Sequence, residues 1–226
     1  MNPVVDHNAW IKARKELLAK EKQLTALRDE VAAARRAMPW QEVTRVYIFQ
    51  GPEGDLTLAD LFADKSQLIV YHFMYGPDWQ EGCKSCSFWA DQYDAINKHI
   101  GARDVAIACV SRAPLEVFTP FKQRMGWNFR WVSSAGSSFN EDYRVSFPGK
   151  TSGVYNYEET TVREELPGLS VFYKDDEDRI YHTYSAYSRG LDALNTTYQM
   201  LDLVPKGRDE QDLPFAMAWV KLHDQY

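Results

Sequence analysis

The sequence predicts an α/β fold: a mixed-direction sheet flanked by helices, with a long helix before it and a tail after it. Three observations carry this. The apolar runs Leu68 to Tyr75 and Val105 to Val110 lack polar alternation, as strands do when both faces of a sheet are covered. Each run is followed by a helical pattern, the rhythm of successive β–α units. The runs Leu169 to Lys174 and Arg179 to Ser185 flank a turn at Asp175 to Asp178 and read as an antiparallel hairpin. Strand–helix alternation that ends in a hairpin implies strands of both directions in one sheet.

In order, residues 6–37 read as one helix, started by Asp6 or Asn8 and stopped by Pro39. Trp10, Leu17, Leu24 and Val31 recur every seven residues, and Ala13, Leu27 and Ala34 fill part of a second row that Lys20 interrupts. Such a seam suits either a second copy of the chain, as a homodimer, or a helix laid on its own domain. Residues 43–50 alternate as a strand, Gly51 to Gly54 turn, and Asp55 to Phe62 give a short strand and a helical turn. After the first apolar run, Gly76-Pro77-Asp78 breaks the strand, and the helix that follows ends near Gly101. A helix over 115–125 stops at Gly126, a strand covers Phe129 to Val132, and 139–145 form a helical turn. Residues 146–166 read as an irregular insertion, 190–200 as a helix, and 201–226 as a tail that docks by its aromatic residues. The expected domains are therefore 1–40, 41–200 and 201–226.

The chain has 226 residues, with a formal net charge of −6. An acidic chain lacks the basic face that nucleic acid or an anionic membrane requires. No apolar run approaches the ~18 residues of a membrane span, and the N-terminus does not read as a secretory signal. With three cysteines and no export signal, the expected compartment is the reducing cytoplasm, where a C-x-x-C is catalytic or metal-binding more often than a structural staple.

The centre of the sequence is Cys83-Lys84-Ser85-Cys86, where a strand hands over to a helix. A helix start offers unpaired N–H groups and partial positive charge, which favour thiolate over thiol. Cysteines in such settings reach pKa values of ~3.5–7.5, against about 8.5 for a free thiol. Lys84 adds local positive charge. Cys86 is one turn on, placed to attack a sulfur that Cys83 has bound. The same spacing also serves as half of a zinc site or as inert packing.

Other residues carry two readings each. Arg112 follows a strand ending at the same sheet edge as Cys83, where ligands of open α/β sheets gather; it either supports the thiolate and an anionic substrate or is an ordinary loop arginine. Trp79 lies in a loop beside the cysteines and suits a substrate surface, whereas Trp89 suits helix packing. Cys109, inside an apolar strand, reads as a buried small residue. His182 is either a base or ligand or a structural histidine, and His72 reads as a core histidine.

The strand leading into Cys83-Lys84-Ser85-Cys86, the strand–helix–strand VAIACVSRAPLEVFTPFKQRMGWNFRWVSS and the hairpin PGLSVFYKDDEDRIYHTY resemble a thioredoxin-like fold with the longer spacing of peroxiredoxins. More closely, YHFMYGPDWQEGCKSCSFWAD, GLSVFY, RGLDALNTTY and LDLVPKGRDE resemble a bacterial family of uncharacterised thioredoxin-like proteins described as predicted dithiol–disulfide oxidoreductases. The resemblance implies Cys83 as nucleophile and Cys86 as resolving thiol, and a cis-proline facing them. By count that proline position is Gly168, with Pro167 one residue early. Thioredoxins place Trp directly before the first cysteine; here Gly82 stands there. Peroxiredoxins carry P-x-x-x-T-x-x-C; here Pro77 is six residues before Cys83 with no threonine between them.

The expected function is thiol–disulfide exchange without an organic cofactor, acting on a protein or small-molecule disulfide and recharged by an external thiol reductant. Two alternatives remain at this level: a peroxiredoxin-like thiol peroxidase, and a copper(I)-binding thioredoxin-like chaperone in which His182 joins the two thiolates.

Overall fold

A computed structural model describes residues 2–226. The chain forms two compact units, one ending at Pro39 and the other spanning Trp40–Tyr226. The first is a single helix, α1 (His7–Ala37), capped by the Asp6 carboxylate, which accepts from the Ala9 N–H at 2.8 Å. None of its residues is buried, and the seven-residue row Trp10, Leu17, Leu24, Val31 is exposed.

The second unit is built on an eight-stranded sheet. Its elements are β1 (Gln41–Glu42), β2 (Ile48–Gly51), β3 (Gly54–Thr57), β4 (Gln67–His72), α2 (Lys84–Ala90), α3 (Tyr93–Gly101), β5 (Val105–Ser111), α4 (Leu115–Arg124), β6 (Arg130–Ser133), α5 (Phe139–Asp142), β7 (Ser152–Tyr155), β8 (Glu158–Thr161), β9 (Gly168–Lys174), β10 (Ile180–Tyr187) and α6 (Thr196–Leu201). The strand order is β1-β10-β9-β4-β5-β6-β2-β3. β4, β5 and β6 run parallel, while β9 runs antiparallel beside β4 and β10 antiparallel beside β9. A β–α–β–α–β run closed by an antiparallel hairpin and a helix is a thioredoxin-like arrangement, and the mixed sheet expected from the sequence is present.

The central strands lack alternation because both faces are covered. In β4, Leu68 and Val70 enter one core with Phe49, Phe62 and Phe172, whereas Tyr71 and the following Phe73 enter the other with Trp89, Tyr93 and Trp131. In β5, Ala108 and Val110 take the first side, and Ile107 and Cys109 the second.

Several expected elements are divided. Of the strand expected over 43–50 only residues 48–50 are strand, in β2, which pairs with β3 and β6; β1 lies just before that stretch and pairs with β10 at the opposite sheet edge. The helix expected to run to Gly101 breaks at Asp91-Gln92, whose side chains bind Trp127, His223, Leu194 and Thr196. The helix expected over 190–200 is a 3-10 turn (Ser188–Leu194) and then α6, divided at Asn195, whose side chain accepts from the Tyr198 N–H at 3.0 Å. The stretch 146–166 is irregular only at its ends: within it β7 and β8 form a hairpin of their own. Its two turn residues, Asn156 and Tyr157, both adopt left-handed φ (52° and 70°), as a two-residue hairpin turn requires. Asn is common there; Tyr is not, so the turn leaves little trace in the sequence. No described helix is long and apolar enough to cross a membrane.

Candidate functional site

The backbone beyond β4 stays tied to the sheet. Phe73 N–H donates to the Val110 carbonyl, and Ala113 N–H to that of Tyr75. The loop then returns, so that Cys83 N–H donates to the Met74 carbonyl at 3.2 Å. This fixes the cysteine beside the end of the central strand. Gly82 is buried there against two rings: a Cβ would sit 2.7 Å from Phe121 Cε1 and 2.8 Å from Phe73 Cε1. A tryptophan directly before the first cysteine, as in thioredoxins, has no room.

Cys83 is the N-cap of α2. Its sulfur accepts from the Cys86 N–H at 3.5 Å, the role usually taken by a Ser, Thr, Asp or Asn oxygen. Its carbonyl accepts from both the N–H and the hydroxyl of Ser87. Cys83 is half-buried and Cys86 is 1% exposed; both are free thiols. Cys86 Sγ accepts from the Met74 N–H at 3.4 Å and lies against the buried Tyr71 hydroxyl.

The two thiols are driven apart. A hydrogen bond from the Cys86 side chain, helped by the Cys86 and Ser85 amides and opposed by burial, lowers Cys83 from 9.0 to about 7. Burial first, and then its proximity to Cys83, pushes Cys86 far up. Cys83 is thus the sulfur that ionises and Cys86 the one that keeps its proton.

A cavity of about 610 Å³ reaches the pair from the Cys86 side. Tyr71, Met74 and Cys86 line it together with Trp89, Leu191 and Tyr198. Tyr155 comes from the unforeseen hairpin and Met217 from the C-terminal segment. The sequence analysis missed Tyr155, Tyr198 and Met217, which lie 69 to 131 residues from Cys86 (155 − 86 and 217 − 86); no local pattern marks them. The segment is held by Glu210, whose carboxylate accepts from the Tyr198 hydroxyl, the Met217 N–H and the Trp219 indole N–H.

The other expected site residues separate into two groups. Pro167 lines the cavity, and its carbonyl accepts from the Tyr155 hydroxyl at 2.8 Å. The Leu166–Pro167 peptide is trans, since no described peptide bond is cis. Gly168 opens β9 instead, where a Cβ would come within 2.8 Å of Val145 and 2.9 Å of Tyr187. Lys84 is exposed on the first turn of α2, and the groups that chiefly lower Cys83 are Cys86 and Ser85 rather than Lys84.

Trp79, Arg112 and His182 do not join the cavity. Trp79 folds back on its own turn: its N–H donates to the Gly76 carbonyl, and its ring covers Gly76 so closely that a Cβ there would lie 2.7 Å from Nε1. Arg112 is held by two carboxylates, with Nε donating to Glu165 at 2.6 Å and an Nη to Glu164. Its charge serves the buried Glu165 instead of a thiolate. His182 Nε2 bonds Ser185 Oγ at 2.7 Å, among the rings of Tyr143 and Phe172. No cluster of three or more His, Cys, Asp or Glu side chains suited to a metal occurs among the described residues. His182 therefore does not complete a copper site with the two cysteines.

A family model described as "Bacterial protein of unknown function (DUF899)" matches residues 1–226. The chain belongs to this family. No curated protein matches the sequence. Among solved structures, the chain is similar to Peroxidoxin BcpB from Mycobacterium tuberculosis, at 11% identity over 72% of this chain and 97% of that one, with a TM-score of 0.47. It is also similar to Xanthomonas campestris Peroxiredoxin Q, at 12% identity over 70% and 94%, with a TM-score of 0.46.

Proposed function

We propose that this member of the family is a thiol–disulfide oxidoreductase whose redox pair is Cys83 and Cys86. The observation that carries the reading is the division of labour within the pair: one sulfur caps a helix and ionises near neutrality, and the second donates to it and holds its proton. The Cys83 thiolate attacks one sulfur of a substrate disulfide, and the substrate's other sulfur leaves as thiolate and takes a proton from water. Forming this mixed disulfide removes the negative charge on Cys83, one of the causes that hold the Cys86 proton in place. Cys86 then ionises and attacks Cys83 Sγ, which expels the substrate's remaining thiolate and leaves a Cys83–Cys86 disulfide. The substrate gains two electrons and the pair loses two. An external thiol restores the dithiol.

The test is peptide mapping of the reduced protein after brief exposure to oxidised glutathione or, separately, to hydrogen peroxide. Loss of two hydrogens, mapped to a Cys83–Cys86 bridge and faster with the disulfide, is the expected result. Faster oxidation by peroxide assigns the pair to peroxidase chemistry instead. Cys83→Ser is expected to abolish disulfide reduction, and Cys86→Ser to stall at a mixed disulfide on Cys83. Unchanged reduction by Cys83→Ser rules the reading out.

A further inference from the structure

The two sulfurs of the pair face different surroundings. Cys83 is half-buried and is not part of the cavity wall, whereas Ser85 and Cys86 are. The cavity's volume of about 610 Å³ is that of a small-molecule site. Tyr71 and Met74, which both bond Cys86 Sγ, line it, and the aromatic side chains among its lining give it an apolar body.

The charges around it are already matched. Arg208 Nε and Nη2 donate to Asp202, both at 2.8 Å, and Nη1 donates to Asp192 at 2.9 Å. The Arg208 guanidinium also lies over the Tyr198 ring, 3.9 Å from its centroid. Glu210 has its three donors, and Arg189 stands in solvent, 88% exposed and 3.5 Å from Asp192. No buried charge is left to hold an ionic ligand, so the lining suits a neutral one.

Resting on the redox reading above, we propose that this cavity admits a small neutral thiol with an apolar body, which reduces the Cys83–Cys86 disulfide by attacking Cys86. A thiolate attacks a disulfide in line with the S–S bond, from the side of the attacked sulfur that faces away from its partner. The cavity is lined by Cys86 and not by Cys83, so a thiol held in it meets Cys86 first. The departing sulfur is then Cys83, the one stabilised as thiolate by the amide at the start of α2 and hence the better leaving group. The thiol's thiolate and Cys86 form a mixed disulfide, and the Cys83–Cys86 bond breaks to give the Cys83 thiolate. A second molecule of the thiol attacks the ligand sulfur of that mixed disulfide and releases Cys86, which takes up a proton. Two thiols become one small disulfide, and the protein disulfide gains their two electrons. Substrates thus meet Cys83 from outside, while the reductant meets Cys86 from within.

The sequence makes the test direct, because trypsin cuts after Lys84 and separates the two cysteines into different peptides. The full-length protein, oxidised to the Cys83–Cys86 disulfide, is mixed with benzyl mercaptan, quenched with excess N-ethylmaleimide after short intervals, and mapped. The expected product carries the benzylthio group on Cys86 and maleimide on Cys83, in about tenfold excess over the reverse. Glutathione, which is charged, is expected to react about tenfold more slowly at equal thiolate concentration. Ala216→Trp, which fills part of the cavity wall, is expected to slow benzyl mercaptan. Equal or reversed labelling overturns the proposal, and so does a disulfide that benzyl mercaptan leaves intact. Failure of the Cys83–Cys86 bridge to form in the first place overturns the redox reading instead, so the two failures are distinct.

Discussion

The two faces of the central sheet treat their titratable groups in opposite ways. On the helix-covered face, Cys83 and Cys86 sit beside a cavity, and their environment separates one thiolate from one thiol. On the other face, His72 Nε2, Ser170 Oγ, Ser185 Oγ and His182 Nε2 form a chain of contacts of 2.9, 2.9 and 2.7 Å. The rings of Phe139, Tyr143 and Phe172 enclose it, and burial lowers both histidines, His72 to about 3. Both faces thus hold perturbed groups. Beside the first lies a cavity with room for a reacting molecule, whereas rings pack against the second. A shifted ionisation marks a functional site when a cavity accompanies it; without one it marks a core that has absorbed polar groups.

The comparison can be broken by substitutions that touch only the structural side. The largest effect is expected at Arg112, whose partner Glu165 is nearly buried, with its second oxygen accepting from the Ser146 hydroxyl at 2.5 Å. Arg112→Ala leaves that carboxylate buried without its cation, at a cost of about 3–5 kcal/mol. Denaturant unfolding checks it. The double change Arg112→Met with Glu165→Leu is expected to recover most of the loss, because it removes the orphaned charge. A variant that keeps its stability but loses disulfide reduction would move Arg112 into the reaction after all.

The closed histidine chain gives the next effect. His182→Ala removes a partner of Ser185 and the ring packed on Tyr143 and Phe172, and is expected to cost about 1–3 kcal/mol of stability. The rate of disulfide reduction per folded molecule is expected to stay at the wild-type value. A rate that falls while stability holds would show that the two faces communicate.

Much of the helix-side reaction centre is legible in the sequence, and the reason is locality. Strand, break, Cys83 and Cys86 lie within one stretch, so the handover that caps α2 with Cys83 can be read from spacing alone. The unalternated runs of β4 and β5 likewise announce a sheet covered on both faces. What escapes is made of distant pairs. Arg112 meets Glu164 and Glu165 across 52 and 53 residues. The cavity needs Tyr155 from a hairpin whose Asn156-Tyr157 turn lacks a glycine, together with Tyr198 and Met217 beyond it. His182 reads in sequence either as a base or ligand or as a structural histidine, and only the fold, which bonds it to Ser185, decides between them.

The sharpest small test concerns the sign of the split within the pair. Cys83 is held below an ordinary thiol by the hydrogen bond from Cys86, so it is a thiol well below pH 7 and a thiolate well above it. Alkylation of Cys83 by iodoacetamide needs the thiolate. Its rate is expected to rise about tenfold between roughly pH 6 and pH 8, with a midpoint at about 7, and then to level off. Cys86 and Cys109, both pushed upward by burial, are expected to stay unlabelled across that range. Cys86→Ser supplies the control. A serine hydroxyl is a different donor to Cys83 and carries no thiol, while the residue's backbone N–H, which also donates to Cys83, remains. The midpoint should therefore move upward but stop short of the 9.0 of an unperturbed thiol. A midpoint unmoved by Cys86→Ser would assign the whole shift to the backbone at the start of α2, and the pair would then be two neighbouring cysteines instead of one coupled dithiol.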